Sequence, residues 1–135
     1  MKLETAIRIA NIAHGRTLDK SGDLYLLHPI TVMTMVDGED AKVVAVLHDV
    51  LEDTTVGLDR MPTLTDEQRD ALVAITRNDG ERYFDYIHRV NRDGLATYVK
   101  LADLAHNMSP LRMKGCNPSM MKRYNKAVAI LKGEL

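Results

Sequence analysis

The chain has 135 residues, of which 45% are hydrophobic and 27% charged, with a net charge of −1 and one cysteine. This length suits a single domain over residues 1–135 that buries about two thirds of the surface of its unfolded chain. The balanced charge and the 4% aromatic content exclude a global basic field and weigh against base stacking, so neither nucleic acid nor an acidic membrane is the expected partner. A lone cysteine excludes an internal disulfide, and no membrane-length apolar run or signal-peptide core is present, so a cytoplasmic location is expected.

The first predicted helix covers residues 2–14, where apolar residues recur at helical spacing along one stripe. His14 ends this helix one turn after Ala10, and Gly15 provides a C-terminal stop signal. We interpret His14 as a hydrogen-bonded core histidine. A polar, turn-rich loop is predicted over residues 15–27.

A second helix is predicted from Pro29 through about Val36, because proline suits the first turn of a helix. His28 comes directly before this proline, at a helix start that follows a polar loop. A histidine in this position is well placed to bind a metal, and a structural role is the alternative interpretation. Asp37 and Gly38 then break the chain.

The central stretch, residues 43–54, carries a wide apolar band when it is arranged as one helix. The rest of its surface carries one histidine and three acids: His48, Asp49, Glu52 and Asp53. Their i,i+4 spacing places the histidine over the glutamate and one aspartate over the other. Three carboxylates this close repel one another unless a cation compensates them. The stretch therefore predicts a metal site with catalytic carboxylates beside it, and a solvated acidic helix face is the alternative.

The later part of the chain predicts further helices after a loop through Pro62. These helices cover residues 66–77, 82–91, 95–108 and 118–132. Thr65 and Gln68 form a capping-box pattern at the start of the first of them, and Arg77 with one of the nearby tyrosines could face a phosphate-bearing ligand. Cys116 is interpreted as a loop thiol without a special role. No stretch alternates with period two for long enough to form a strand, so the predicted fold is all-α with six or seven helices.

Three motifs in this order resemble those of the HD-domain phosphohydrolases: His28-Pro29, HDVLED at residues 48–53 and KLADLAHNM at residues 100–108. More narrowly, they look like the hydrolase domain of the RelA/SpoT alarmone enzymes and of the small alarmone hydrolases. The match extends over essentially the whole chain. The resemblance implies a helical bundle of the HD-domain type, formed by one hydrolase domain over residues 1–135.

The resemblance also implies one metal ion, held by the matching residues His28, His48, Asp49 and Asp103. Two imidazoles and two carboxylates from three predicted helices can converge in the core of a bundle. A nitrogen and oxygen ligand set without thiolate suits Mn²⁺, Fe²⁺ or Zn²⁺. The resemblance favours Mn²⁺ among these.

Further roles follow from the same resemblance. Glu52 and Asp53 match the catalytic acidic pair of the family, which implies that they orient and deprotonate the attacking water and protonate the leaving group. Asn107 matches a position that contacts the ribose or a phosphate of the substrate. Tyr25 and Tyr124 resemble tyrosines that contact the substrate.

The first loop departs from the family pattern. Residues 14–17 are His-Gly-Arg-Thr, where many relatives have His-x-Gly-Gln. Asp19 stands where a basic residue often contacts the nucleotide, with Lys20 beside it. Because a carboxylate repels a phosphate, either Lys20 and Arg16 bind the phosphates, or the substrate carries less charge there. We take Lys20 as the predicted substrate-binding residue.

The function expected from these residues is that of a metal-dependent phosphohydrolase. Its expected activity is that of a guanosine-3′,5′-bis(diphosphate) 3′-pyrophosphohydrolase, which releases pyrophosphate from the alarmone. One alternative is HD-type hydrolysis of another nucleotide, such as a deoxynucleoside monophosphate. A second alternative is a non-catalytic HD module that binds a nucleotide and regulates a partner. The expected ligand is in each case a small-molecule nucleotide, and the oligomeric state is left open.

Overall fold

The chain folds into helices in the computed structural model, which describes residues 1–110, 112 and 117–135. The α-helices are α1 Leu3–His14, α2 Leu27–Thr34, α3 Glu39–Leu47, α4 Val50–Asp53, α5 Asp66–Ile75, α6 Tyr83–Val90, α7 Gly94–Asn107 and α8 Pro118–Leu131, and a 3₁₀ turn covers Leu58–Arg60. Extended pairing within these residues is limited to one bridge between Leu18 and Leu24. The predicted all-α class is therefore confirmed, whereas the prediction for Cys116 lies outside the described residues.

Helix α3 lies at the centre of the packing and contacts α1, α2, α5 and α7. Its sequence explains this position, because Ala41 and every residue from 43 to 47 are buried. A helix that is apolar all round is stable only when other elements cover it on all sides. The apolar lead-in to the histidine and the acids is thus a core helix.

The central stretch is not one continuous helix, so this part of the prediction is wrong. Helix α3 ends at Leu47 and α4 begins at Val50, with His48 and Asp49 in a turn between them. The Ala45 carbonyl oxygen accepts hydrogen bonds from both the backbone amide of His48, at 3.5 Å, and its ring Nδ1, at 2.5 Å. A side chain that bonds to the preceding turn competes with the regular i→i−4 ladder, which explains the interruption.

Two helices end earlier than their predicted ends, and the backbone explains both differences. Helix α2 ends at Thr34, because the Met35 amide closes a tighter i→i−3 bond to Val32. Helix α5 ends at Ile75, because Thr76 is extended. The amide of the next residue, Arg77, donates to the carboxylate of Glu52 instead of continuing the helix.

Side-chain caps fix where α7 and α8 begin. Asp93 accepts a hydrogen bond from the Ala96 amide at 2.8 Å, and Asn117 accepts one from the Met120 amide at 2.9 Å. Pro118 follows as the first residue of α8. Along the described part of the chain, none of the helices has the length and apolarity needed to cross a membrane.

The predicted capping box of α5 is confirmed, and it extends into a larger network around Gln68. This side chain is 2% exposed; it accepts from the Thr65 amide at 3.0 Å and donates to the Asp40 carboxylate at 2.9 Å and to the Met1 carbonyl at 3.1 Å. The Gln68 amide in turn donates to the Thr65 hydroxyl at 3.1 Å. One buried amide therefore joins the starts of α1, α3 and α5.

Gln68→Ala is expected to lower the free energy of unfolding by about 2–4 kcal/mol, because it removes several buried hydrogen bonds and part of a helix cap. Urea denaturation followed by circular dichroism measures this change. The control is Arg69→Ala at the exposed neighbouring position, which should change stability by less than about 0.5 kcal/mol. Equal effects of the two substitutions would contradict the assigned role of Gln68.

Candidate active site

The structure brings together the side chains of His28, His48, Asp49 and Asp103. Nε2 of His28 lies 2.8 Å from Oδ1 of Asp103 and 3.7 Å from Oδ2 of Asp49. Nε2 of His48 lies 3.2 Å and 3.0 Å from the same two oxygens. Helix α2, the turn after α3 and helix α7 thus direct two nitrogens and two oxygens at one point, and both rings are about 3% exposed or less.

Neighbouring groups fix the orientation of these side chains. His48 donates from Nδ1 to the Ala45 carbonyl, and this bond leaves Nε2 as the ring nitrogen directed at the cluster. Lys100 donates to Oδ2 of Asp103 at 2.8 Å, and this contact leaves Oδ1 facing the histidines. Asn107 also donates to Oδ1 of Asp103, at 3.2 Å. Lys100 is therefore the salt-bridge partner of Asp103.

The electrostatics of the cluster favour an added positive charge. Burial alone would raise the pKa of Asp49, but the neighbouring His48 outweighs burial and lowers this pKa to about 2. Burial likewise opposes ionisation of Asp103, yet Lys100 and His48 hold its pKa well below the usual range. Burial would lower the pKa of His48, but the two carboxylates raise it well above its ordinary value. The same negative potential attracts a metal cation.

The donor set fits a divalent cation. His28, His48 and Asp49 each offer one ligand atom, and these atoms lie within 4.8 Å of one another. Asp103 adds a second carboxylate oxygen at hydrogen-bond distance from both ring nitrogens. The buried His/Asp group could therefore hold a metal ion, with nitrogen and oxygen ligands of the kind that first-row divalent ions accept.

Asp53 is joined to the cluster through Tyr25. The Tyr25 hydroxyl donates to Oδ2 of Asp49 at 2.6 Å and lies 3.3 Å from Oδ2 of Asp53. Partial desolvation and the nearby charge of Asp49 raise the pKa of Asp53. This hydroxyl therefore links a candidate metal ligand to a candidate catalytic acid, a contact that the predicted substrate role of Tyr25 did not include.

Glu52 contacts the backbone that follows α5. One of its carboxylate oxygens accepts a hydrogen bond from the Arg77 backbone amide, and partial desolvation raises its pKa despite this bond. Glu52 and Arg77 line a depression of about 700 Å³. The Arg77 guanidinium lies 5.7 Å from the centre of the Tyr83 ring, and a role of the two residues toward a phosphate-bearing ligand stays a prediction.

The four predicted substrate-binding residues line one cavity of about 410 Å³ that opens onto His28, Asp49 and Asp103. These residues are Tyr25, Lys20, Asn107 and Tyr124. Neither Glu52 nor Asp53 is among the described residues that line this cavity. Three of the predicted metal ligands thus share one cavity with the predicted substrate contacts. Asp53 is joined to this cavity through Tyr25, whereas Glu52 lines the separate depression beside Arg77.

Asp19 and Arg112 form a contact in this cavity that the sequence did not reveal. Oδ1 of Asp19 accepts hydrogen bonds from the Ser21 and Asp23 amides at 2.8 Å and 3.0 Å, so this carboxylate closes the first loop. Its Oδ2 lies 3.7 Å from the Arg112 guanidinium, which also donates to Asn107 at 3.1 Å. Arg112 follows α7 in irregular structure, where no periodic signal marks it.

Two further histidines, His14 and His106, have contacts that the sequence analysis did not predict. His14 is buried, as predicted, but its Nε2 has no hydrogen-bond partner among the described residues, so the predicted hydrogen bond is not confirmed at this atom. Its ring lies 5.1 Å from that of Tyr25. His106 carried no predicted role, yet its Nδ1 lies 2.7 Å from Nδ1 of His28. Its position three residues after Asp103 on α7 is the sequence signal that places it on the same helix face.

The chain was compared with protein-family profiles, with curated proteins and with solved structures. No protein-family profile matches the chain. It is 30% identical over 114 residues to a probable guanosine-3′,5′-bis(diphosphate) 3′-pyrophosphohydrolase of Synechocystis, covering 73% of this chain and 15% of the relative. It is 32% identical over 124 residues to the bifunctional (p)ppGpp synthase/hydrolase RelA of Mycobacterium tuberculosis, covering 82% and 17%. The chain thus spans less than a fifth of the length of these relatives.

A solved structure extends the comparison to the fold. It is described as a metazoan ortholog of SpoT that hydrolyzes ppGpp, and it matches with a TM-score of 0.75 over 96% of this chain and 84% of the other, at 21% identity. The helices and the His/Asp cluster define a helical protein of the HD-domain type. Within this class the chain is related to the RelA/SpoT alarmone enzymes, and the resemblance seen in its motifs is confirmed.

Asp103→Asn is expected to weaken Mn²⁺ binding by about 100-fold or more, because it removes the charge of a candidate oxygen ligand while keeping an acceptor for Lys100. Isothermal titration with Mn²⁺ and mass spectrometry of the dialysed protein measure this loss. Asp85→Asn on the exposed face of α6 serves as the control. A variant at residue 103 that still retains about one ion per chain would exclude this residue as a ligand.

Proposed function

We propose that this chain is a metal-dependent (p)ppGpp 3′-pyrophosphohydrolase, which converts ppGpp and water to GDP and pyrophosphate. The observation that carries the proposal is the convergence of His28, His48, Asp49 and Asp103 beside a cavity, where Tyr25 joins a further acid, Asp53, to the cluster. The names of the related proteins support the same reaction. Because the chain matches only a small part of each relative, the activity is a proposal for this chain.

The proposed cofactor is one Mn²⁺ ion, with Fe²⁺ and Zn²⁺ as ions that the same ligands accept. His28 and His48 would bind through Nε2, and Asp49 and Asp103 through one carboxylate oxygen each. When bound, the ion polarises phosphoryl oxygens and lowers the pKa of water. Lys100 stays on the far oxygen of Asp103, where it limits this carboxylate to one free oxygen.

Glu52 and Asp53 are the proposed acid and base. A carboxylate with a raised pKa exchanges protons more readily near neutral pH than an ordinary one, and both residues have raised pKa values. The Arg77 amide binds one oxygen of Glu52, which leaves the other oxygen to orient and deprotonate water. Tyr25 anchors Asp53 beside Asp49. After water attacks and the bond to the 3′ oxygen breaks, a proton returned from this pair neutralises the leaving group.

The nucleotide is proposed to bind in the cavity of about 410 Å³. Lys20 supplies an exposed cation and Asn107 an amide next to Asp103, so both suit phosphate or ribose oxygens. The rings of Tyr25 and Tyr124 offer surface for the sugar or the base. These polar and aromatic groups favour a nucleotide over a simple phosphate ester.

One observation favours a second substrate class. Asp19 lines the cavity as a carboxylate, and its Oδ2 faces Arg112 at 3.7 Å. The Asp19 carboxylate offsets the charge of Arg112, which would otherwise attract the phosphates of a multiply charged nucleotide. A less charged substrate, such as a deoxynucleoside monophosphate, is therefore the second candidate.

The test is hydrolysis by purified protein supplied with Mn²⁺, with ppGpp and deoxynucleoside monophosphates as separate substrates. The proposal expects GDP and pyrophosphate from ppGpp. Glu52→Gln with Asp53→Asn should lower turnover by about 100-fold or more while Mn²⁺ stays bound, because the shape and most hydrogen bonds persist and the proton acceptor is lost.

Three outcomes would contradict parts of the proposal. Turnover of a monophosphate without turnover of ppGpp would replace the substrate and leave the metal site intact. Nucleotide binding without turnover of any substrate would favour a regulatory module. Loss of Mn²⁺ in the double variant would instead make Glu52 or Asp53 a metal ligand.

Asp19→Asn is expected to lower the KM for ppGpp by about two- to fivefold, because it removes a negative charge that is partly exposed to solvent and therefore partly screened. The amide oxygen still accepts from the Ser21 and Asp23 amides, so the loop keeps its shape. Asp23→Asn in the same loop, which lies outside the cavity lining, is the control. An unchanged or raised KM would show that Asp19 does not repel the substrate.

A further inference from the structure

His106 forms a planar pair with His28. The two rings are 10° from parallel, with their centres 4.9 Å apart, and Nδ1 of one lies 2.7 Å from Nδ1 of the other. Two nitrogens at this distance need a hydrogen between them, because two facing lone pairs would repel. One ring therefore donates and the other accepts.

An ion bound to His28 would determine which ring donates. Nε2 of His28 faces the carboxylates of Asp103 and Asp49, at 2.8 Å and 3.7 Å, and is the nitrogen available to a metal ion. A histidine that binds a metal through Nε2 carries its remaining proton on Nδ1. With an ion on Nε2, His28 would donate from Nδ1, and His106 would accept at Nδ1 and carry its own proton on Nε2.

The geometry of the pair suits Nδ1 of His106 as the acceptor. A neutral imidazole has one lone pair, and the 2.7 Å contact between nearly parallel rings directs it at Nδ1 of His28.

The second histidine of the cluster shows the same arrangement with a different acceptor. Nδ1 of His48 donates to the Ala45 carbonyl at 2.5 Å, so the backbone fixes this ring. His28 lies in the first turn of α2, and its acceptor comes from a side chain on α7. A substitution can therefore remove the acceptor of His28, whereas the acceptor of His48 belongs to the main chain.

We propose that His106 is a positioning residue that fixes the tautomer and the ring plane of His28 and thereby sets the affinity of the site for its metal ion. This inference rests on the proposed function, since it takes His28 as a ligand. It adds to that function a residue outside the ligand set. His106 contacts neither the ion nor the substrate in this role.

The test compares Mn²⁺ affinity among substitutions at residue 106 by isothermal titration, without any substrate. His106→Leu removes the acceptor and is expected to raise the Kd by about 10- to 100-fold, the range found for such supporting hydrogen bonds. His106→Asn places an amide oxygen near the position of Nδ1 and is expected to restore the Kd to within about threefold of the parent value. His88→Leu on the exposed face of α6 is the matched control and should leave the Kd unchanged.

A second measurement uses the unaltered protein, so it does not depend on the folding of a variant. Nitrogen NMR of the Zn²⁺-loaded chain reports the tautomer of each histidine. The inference requires a ring proton on Nε2 of His106 and a hydrogen-bonded proton on Nδ1 of His28. A proton on Nδ1 of His106 would overturn it.

The outcomes separate this inference from the proposed function. Unchanged Mn²⁺ affinity in His106→Leu would overturn the inference and leave the metal site standing. Equal losses in the leucine and asparagine variants would also overturn it, because ring packing rather than the acceptor would then matter. A parent protein that binds no Mn²⁺ would overturn both, whereas tight Mn²⁺ binding without ppGpp hydrolysis would overturn only the proposed reaction.

Discussion

The buried carboxylate of Asp103 is the constraint on which the arrangement of the site depends. An isolated carboxylate in this environment would be strongly destabilising unless charged and hydrogen-bonding partners compensate it. Lys100 and Asn107 contact it from the same helix, and His28 and His48 contact it from two other parts of the chain. The packing of α7 against α2 and α3 is what brings these partners within reach. The helix contacts that form the hydrophobic core therefore also assemble the candidate site.

The interruption between α3 and α4 has a direct consequence for the cluster. Consecutive residues of a continuous helix point in directions about 100° apart, so they do not face each other. In the turn, His48 bonds to the Ala45 carbonyl and Asp49 has φ of −99°, and Oδ2 of Asp49 reaches to 3.0 Å from Nε2 of His48. Two neighbours in the sequence thus contribute to one point from the turn that follows α3.

The helices were predictable from periodicity and capping, because both are local properties of the sequence. Thr65 with Gln68 marked the start of α5, and the motif residues that resemble a known family converge as that resemblance implied. The break at His48 carries no glycine or proline signal, since it depends on a ring contact and keeps the backbone in the helical region. The contact between Arg112 and Asp19 also could not be predicted from local sequence signals, because it joins distant parts of the chain.

The charges that line the cavity connect metal binding to substrate binding. Lys100 is paired with Asp103 and Arg112 lies next to Asp19, so these two cations are largely offset by the protein itself. Among the described residues of the cavity, Lys20 is the cation that forms no ion pair, and it is exposed to solvent, where screening weakens its attraction for phosphate. The proposed polyanionic nucleotide would therefore depend on an added cation at the His/Asp cluster for most of its charge compensation. Tighter binding of the ion should then also mean tighter binding of the nucleotide, since linkage makes this coupling reciprocal.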